Sequence, residues 1–172
     1  MAVRRPARIS GRVGGNHVSI LRPRDFYHFG YVVDDLDAAA RHLTALSGAR
    51  WTTPVEFEMG LRYGGVDREV EFPVVYSLEA PHFELIQATP GTPFSTGAGG
   101  GVHHLGYWAQ DFASDLDRLR DLGFTEEVVG LDDDGGPWGF AYFTGPTGQR
   151  FEIADRATFD EGWDGFLNSR VA

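Results

Sequence analysis

Two histidines stand in the same local setting 76 residues apart, His28 in Tyr27-His28-Phe29-Gly30-Tyr31 and His104 in His103-His104-Leu105-Gly106-Tyr107. Two glutamates recur in the same way, Glu84 in Phe83-Glu84-Leu85 and Glu152 in Phe151-Glu152-Ile153. Imidazole nitrogen and carboxylate oxygen are the donor types that hold a divalent transition ion, and two of each suffice. A single strand histidine is ordinarily structural, and a single strand glutamate ordinarily faces water. It is the recurrence of both types in matched settings that points to a metal site built by duplication.

The elements that must position these residues also repeat. Phe26 to Val33 alternates like a strand; Asp35 to Ser47 places Leu36, Ala39, Ala40, Leu43 and Leu46 on one helical face, and Gly48 ends it. The second half follows with a strand from Val102 to Ala109 and a helix from Ala113 to Leu122, ended by Gly123. Further strands are expected at Trp51 to Phe57, Glu69 to Leu78 and Pro81 to Ala88, and again at Phe124 to Leu131, Phe140 to Thr144 and Arg150 to Ala154. The pattern is β-α-β-β-β, twice, an α+β architecture. Strand alternation turns Phe29, Tyr31, Leu105 and Tyr107 toward the helices and sends His28, Gly30, His104 and Gly106 to the other face. By the same rule Glu84 and Glu152 point away from the helix-packed Phe83, Leu85, Phe151 and Ile153, so all four donors share one side of the sheet.

The modules span 25–88 and 102–156, joined by a Gly/Pro-rich linker at 89–101. A basic leader, 1–24, contains Pro6 and Gly14-Gly15 and reads as poorly ordered. A C-terminal segment, 157–172, carries an amphipathic stretch from Glu161 to Phe166 expected to cap the fold, and Asp132 to Pro137 reads as a surface loop.

Composition removes several chemistries. The chain has no Cys and no Lys, which excludes disulfides, thiolate catalysis, Cys-ligated zinc and Schiff bases. All 15 basic residues are Arg; six fall in the acid-free leader, so from Asp25 onward nine Arg face 25 acidic residues. So acidic a body argues against nucleic acid or an anionic membrane as partner. No apolar run is of spanning length and no signal-peptide pattern precedes the first motif, and a cytoplasmic protein is expected.

Other residues qualify for substrate contact. His82 lies two positions before Glu84 and shares its face, as Trp108 shares that of His104, while Phe140 and Tyr142 alternate with Ala141 and Phe143 and are placed to line a pocket. Arg150, with Arg62 and Arg68, could meet an anion. His103 is expected to point the opposite way from His104, and His42 falls in the helix; neither is chosen as a ligand.

The chain resembles the vicinal oxygen chelate superfamily, which includes glyoxalase I, methylmalonyl-CoA epimerase, extradiol dioxygenases and bleomycin- and fosfomycin-resistance proteins. The resemblance runs from Phe26 to Arg156. It rests on His28-Phe-Gly-Tyr with Asp34-Asp35-Leu36-Asp37-Ala38-Ala39, on His104-Leu-Gly-Tyr-Trp with Asp111, on Phe83-Glu-Leu-Ile, and on Gly145-Pro-Thr-Gly-Gln-Arg-Phe-Glu-Ile. It implies two βαβββ modules forming a cup-shaped mixed sheet with helices on the outer face, and one divalent ion (Zn, Ni, Co, Mn or Fe) held by His28, Glu84, His104 and Glu152. Glu84 matches the glyoxalase-like ligand set, where the epimerase branch commonly has Gln. The implied activity is metal-dependent proton transfer, an isomerase, epimerase or lyase acting beside the carbonyl of a small molecule or thioester, with Glu84 and Glu152 as base and proton donor in either order. A non-heme iron dioxygenase using His28, His104 and Glu152 and a non-catalytic small-molecule-sequestering protein are the alternatives. Whether one chain or a homodimer completes the cup is open at this level.

Overall fold

The computed structural model describes residues 19–96 and 101–171; the expected leader up to residue 18, residues 97–100 of the expected linker and residue 172 lie outside the described residues. The first module contains β1 (Phe26–Val33), α1 (Leu36–Ser47), β2 (Val55–Tyr63), β3 (Val66–Tyr76) and β4 (His82–Gln87). The second contains β5 (His104–Trp108), α2 (Phe112–Asp121), β6 (Thr125–Leu131), β7 (Pro137–Thr144) and β8 (Arg150–Ala154), and α3 (Gly162–Asn168) follows.

The eight strands close on themselves in the order β1-β4-β3-β2-β6-β7-β8-β5. Within each module the first and last strands run parallel, β1 with β4 and β5 with β8. Two antiparallel seams join the modules, β1 with β5 and β2 with β6. Closure leaves no sheet edge, and it puts the two histidine strands side by side.

Both module helices begin in the same way. The carboxylate of Asp35 accepts from the Ala38 amide at 2.8 Å and that of Asp111 from the Ser114 amide at 3.0 Å, each satisfying an orphan donor of the first turn. Gly48, at φ 75°, ends α1 in the left-handed conformation that a side chain disfavours. α2 buries Phe112, Leu116 and Leu119 against Val129, Leu131, Ala141, Phe143 and Ile153 on the outer face of the sheet. A second cluster, around Leu61, Phe72, Val74, Tyr76, Ile86, Phe94 and Tyr142, receives Leu167 of α3. Among the described residues no helix is long and apolar enough to cross a membrane.

Three local expectations are corrected. The strand expected at Trp51 to Phe57 starts instead at Val55 and runs to Tyr63, while Trp51 and Thr52 make only isolated bridges, to Ser77 and Val171. Pro54 cannot donate to a ladder and so sets the start. β7 begins three residues before Phe140, at Pro137, because its hairpin with β6 extends to the Leu131–Pro137 pair. The end of the expected leader is packed: Ile20 is buried with Phe112, Leu116 and Leu119, and the Ser19 carbonyl accepts from the Gln110 side chain at 2.9 Å. The exposed apolar side of α2 gives Ile20 something to cover, a contact that only the folded module creates.

Candidate metal centre and its cavity

β1 and β5 pair so that Gly30 stands opposite His104 and Gly106 opposite His28. Each imidazole therefore leans over the glycine of the other module. A methyl built on Gly30 would lie 2.0 Å from Cε1 of His104, and one on Gly106 would lie 2.5 Å from Cε1 and Nε2 of His28. The glycine two residues after each histidine is thus the space into which the other histidine fits. The two Nε2 atoms meet at 2.7 Å.

The carboxylates arrive on the neighbouring strands. β4 lies beside β1 with Glu84 opposite Gly30, and β8 lies beside β5 with Glu152 opposite Gly106. Glu84 Oε2 is 3.1 Å from His104 Nε2 and 3.5 Å from His28 Nε2, while Glu152 lies 3.4 Å from His104 and 3.9 Å from His28. One donor atom from each of the four residues falls within 4.8 Å of the others, and all four residues are buried. They come from one chain.

Burial determines the charge of the set. The imidazole pKa values of His28 and His104 are lowered to about 3, mainly because burial penalises the cation, so both rings are neutral and offer lone pairs. Glu152 is pushed well above the usual carboxylate range by burial and by the charge of Glu84, against the phenols of Tyr27 and Tyr142, which pull it down. Tyr27 donates to Glu152 at 2.6 Å and Tyr76 to Glu84 at 2.6 Å. The three phenols are themselves raised well above their ordinary value by burial first, so they remain donors. Glu84 Oε2 has no hydrogen-bond partner. A buried carboxylate oxygen left without a donor, beside two imidazole lone pairs, costs free energy that a divalent cation at their centre would offset. The donor set fits such an ion in type, and two carboxylates balance its charge.

A cavity of about 540 Å³ opens onto this cluster. Glu84 and Glu152 line it and the two histidines do not, so the carboxylates stand between the imidazoles and any ligand in the cavity. Phe140 and Tyr142 line it. The other three expected substrate residues do not. His82 is buried with Nδ1 2.8 Å from the Ser77 carbonyl and its ring edge-on to Trp163. Trp108 is stacked on Tyr27 at 3.8 Å between ring centroids, behind the cavity wall. Arg150 opens to a second cleft, which His103 and His104 also border, and is ion-paired with Glu127 at 2.6 Å and bonded to His103.

Several site residues escaped the strand-alternation reading. β1 and β5 shift register between Phe26 and His28, and this irregularity lets Tyr27 and His28, adjacent in sequence, both turn inward. His103 does not point away from His104: its Nδ1 lies 3.0 Å from Nδ1 of His104. It precedes the first residue of β5, where strand alternation has no force. Tyr76 carried no motif. Gly30 and Gly106 were visible as the repeated third residue after each motif's start, a signal whose reason is the crossing of the two imidazoles.

Comparison with known proteins agrees with this picture. The family model described as the Glyoxalase/Bleomycin resistance protein/Dioxygenase superfamily matches residues 27–142. No curated protein matches the sequence. Among solved structures, a methylmalonyl-CoA epimerase in complex with methylmalonyl-CoA and NH4+ superposes with a TM-score of 0.54 at 16% identity, covering 80% of this chain and 95% of that one. A variant of the Streptomyces coelicolor methylmalonyl-CoA epimerase with 2-nitronate-propionyl-CoA gives the same score and identity, covering 80% and 98%. The Mycobacterium tuberculosis epimerase scores 0.51 at 16% identity, covering 83% and 93%. At such identities the likeness is one of fold.

Proposed function

The chain belongs to the Glyoxalase/Bleomycin resistance protein/Dioxygenase superfamily, and on that basis we propose that it is a divalent-metal-dependent enzyme that moves a proton beside the carbonyl of a small molecule. The observation that carries this reading is the convergence of four buried donors within 4.8 Å, two carboxylates that line a cavity and two neutral imidazoles behind them. His28, His104, Glu84 and Glu152 would hold the ion. When bound, such an ion supplies positive charge that polarises a carbonyl oxygen and stabilises the charge that develops on it.

The chain's own residues do the rest. Glu84 and Glu152 face the cavity from opposite modules, so one takes the α-proton while the other is placed to return a proton; positioned base catalysis of this kind contributes roughly 10²–10⁴-fold. Tyr27 holds Glu152 and Tyr76 holds Glu84, each with one hydrogen bond of 2.6 Å. Buried phenols, which keep their protons, steer the carboxylates without competing as bases. Phe140 and Tyr142 supply apolar wall and exclude water from the proton in transit.

Metal analysis of protein purified without added metal, followed by exchange of substrate α-hydrogen in deuterium oxide, tests the reading. One redox-inert divalent ion per chain, lost on His104→Ala, and solvent deuterium incorporation that falls in Glu84→Gln or Glu152→Gln are expected. Iron with oxygen consumption would replace the reading with a dioxygenase. Full turnover in both glutamine variants with metal bound would overturn it, as would a protein that holds a small molecule with no metal at all.

A further inference from the structure

The cavity has a chemical bias of its own. Its walls are rings: Phe57, Phe72, Phe140, Tyr142, Phe159 and Phe166 all border it, and Trp138, 45% exposed, adds an indole. The charged groups that border it, apart from Glu84 and Glu152 at the metal cluster, are Glu58, Asp160, Glu161 and Arg170. Arg170 is already engaged, with its guanidinium 4.1 Å from the Phe166 ring centroid and hydrogen bonds to the Phe166 carbonyl and the Ser169 hydroxyl. The adjoining cleft, which shares Glu58, Met59 and Trp138 with the cavity, adds Glu69, Asp132 and Asp133 against Arg68, together with Asp67, which is paired with Arg62 at 2.7 Å. Arg68 donates to the Tyr63 carbonyl and lies over that residue's ring.

Among the described residues, then, the surroundings of the cavity are acidic and its interior is aromatic. A carrier bearing several phosphates would have to cross carboxylates whose neighbouring arginines, Arg68 and Arg170, are both tethered, which like-charge repulsion disfavours. An uncharged ring system meets no such barrier and gains apolar burial and edge-to-face contacts inside.

We infer that the substrate is an uncharged, ring-bearing carbonyl compound with an α-hydrogen, and not a thioester of a phosphorylated carrier such as coenzyme A. This inference rests on the proton-transfer reading above and narrows it. The ring lies against the phenylalanine walls, and the carbonyl and its α-carbon reach Glu84 and Glu152. The α C–H bond breaks with its electron pair moving toward the carbonyl oxygen, the glutamate takes the proton, and a proton returns to the α-carbon as the carbonyl reforms; no oxidant or co-reactant is consumed. The epimerases of similar fold, crystallised with coenzyme A thioesters, mark the contrast.

Full-length, metal-loaded protein tests this by tryptophan fluorescence, with 2-hydroxyacetophenone and benzoin as uncharged ring ketones and propionyl-CoA as the charged thioester. Saturable binding of at least one ketone is expected, with propionyl-CoA weaker by about tenfold or more at low salt. The combined change Glu58→Gln, Asp160→Asn and Glu161→Gln should close part of that gap by strengthening propionyl-CoA alone. Propionyl-CoA binding as tightly as the better ketone, a gap untouched by the neutral variant, or binding of neither ketone would overturn the inference. Deuterium exchange separates it from the reading beneath it: a ketone that binds selectively but never exchanges its α-hydrogen keeps the substrate class and removes the proton-transfer chemistry.

Discussion

The two modules supply the same donors and support them differently. His28 and His104, Gly30 and Gly106, and the capping Asp35 and Asp111 all recur at a spacing of 76 residues. Around them the symmetry fails. α2 is sealed, with Phe112, Leu116 and Leu119 buried and Ile20 laid over them, whereas α1 buries no residue and leaves Leu46 72% exposed. Glu152 and Glu84 each accept from one phenol, but Glu84 keeps a bare buried oxygen. His104 Nδ1 rests on His103, but His28 Nδ1 has no partner. The atoms that could hold an ion recur in both modules, and the layer that supports them does not.

Mutations at matched positions probe this asymmetry, and the largest contrast is expected in the helices. Leu116→Ala should cost about 2–5 kcal/mol of stability, the usual penalty for emptying a core position, and Leu46→Ala on the open helix should stay within about 0.5 kcal/mol. Chemical denaturation of both variants measures the difference; equal losses would mean that α1 is covered in solution by something the single chain does not show.

The glycine pair comes next. Gly30→Ala and Gly106→Ala each force an imidazole off its place, and overpacking of this kind costs about 1–3 kcal/mol. Metal affinity should fall in both, and more in Gly30→Ala, whose new methyl would lie nearer the opposing ring, 2.0 Å against 2.5 Å. Titration of the two variants with a divalent ion reads this directly. If His104→Ala added to Gly30→Ala restores stability without restoring metal, the clash is the cause; unchanged affinity in either single variant would show that the imidazoles can move aside.

A smaller effect is expected from the phenols. Tyr76→Phe removes the hydroxyl donor of Glu84 and should weaken metal binding by about tenfold, the lower end of what loss of a supporting hydrogen bond costs. Tyr27→Phe removes the matching donor of Glu152, which lies farther from both imidazoles than Glu84 does, and should cost less. Isothermal titration separates them, and the reverse ranking would mean that Glu152, not Glu84, depends more on its phenol.

Much of this was legible in the chain because it is local. Alternation around His28 and Glu152 gave the correct inward face, the Asp caps and Gly48 bounded α1, and Phe140 and Tyr142, which alternate with Ala141 and Phe143, border the cavity. The failures share a physical form. Tyr27 turns inward through a strand irregularity, His103 sits before its strand begins, and Trp108, His82 and Arg150 follow the alternation or charge rule yet are taken by Tyr27, Ser77 and Glu127. Each outcome depends on a partner distant in sequence.

By itself, then, the sequence determined the duplicated β-α-β-β-β order, the face on which two histidines and two glutamates lie, and the exclusion of thiol and Schiff-base chemistry, since periodicity and composition are properties of neighbouring residues. Only the tertiary structure decided that one chain closes the barrel, that β1 meets β5 with each histidine over the other's glycine, and that the carboxylates face a ring-lined cavity with acidic surroundings. Those facts follow from which strands pair and in what register, and strand pairing is chosen by the burial of the whole molecule at once.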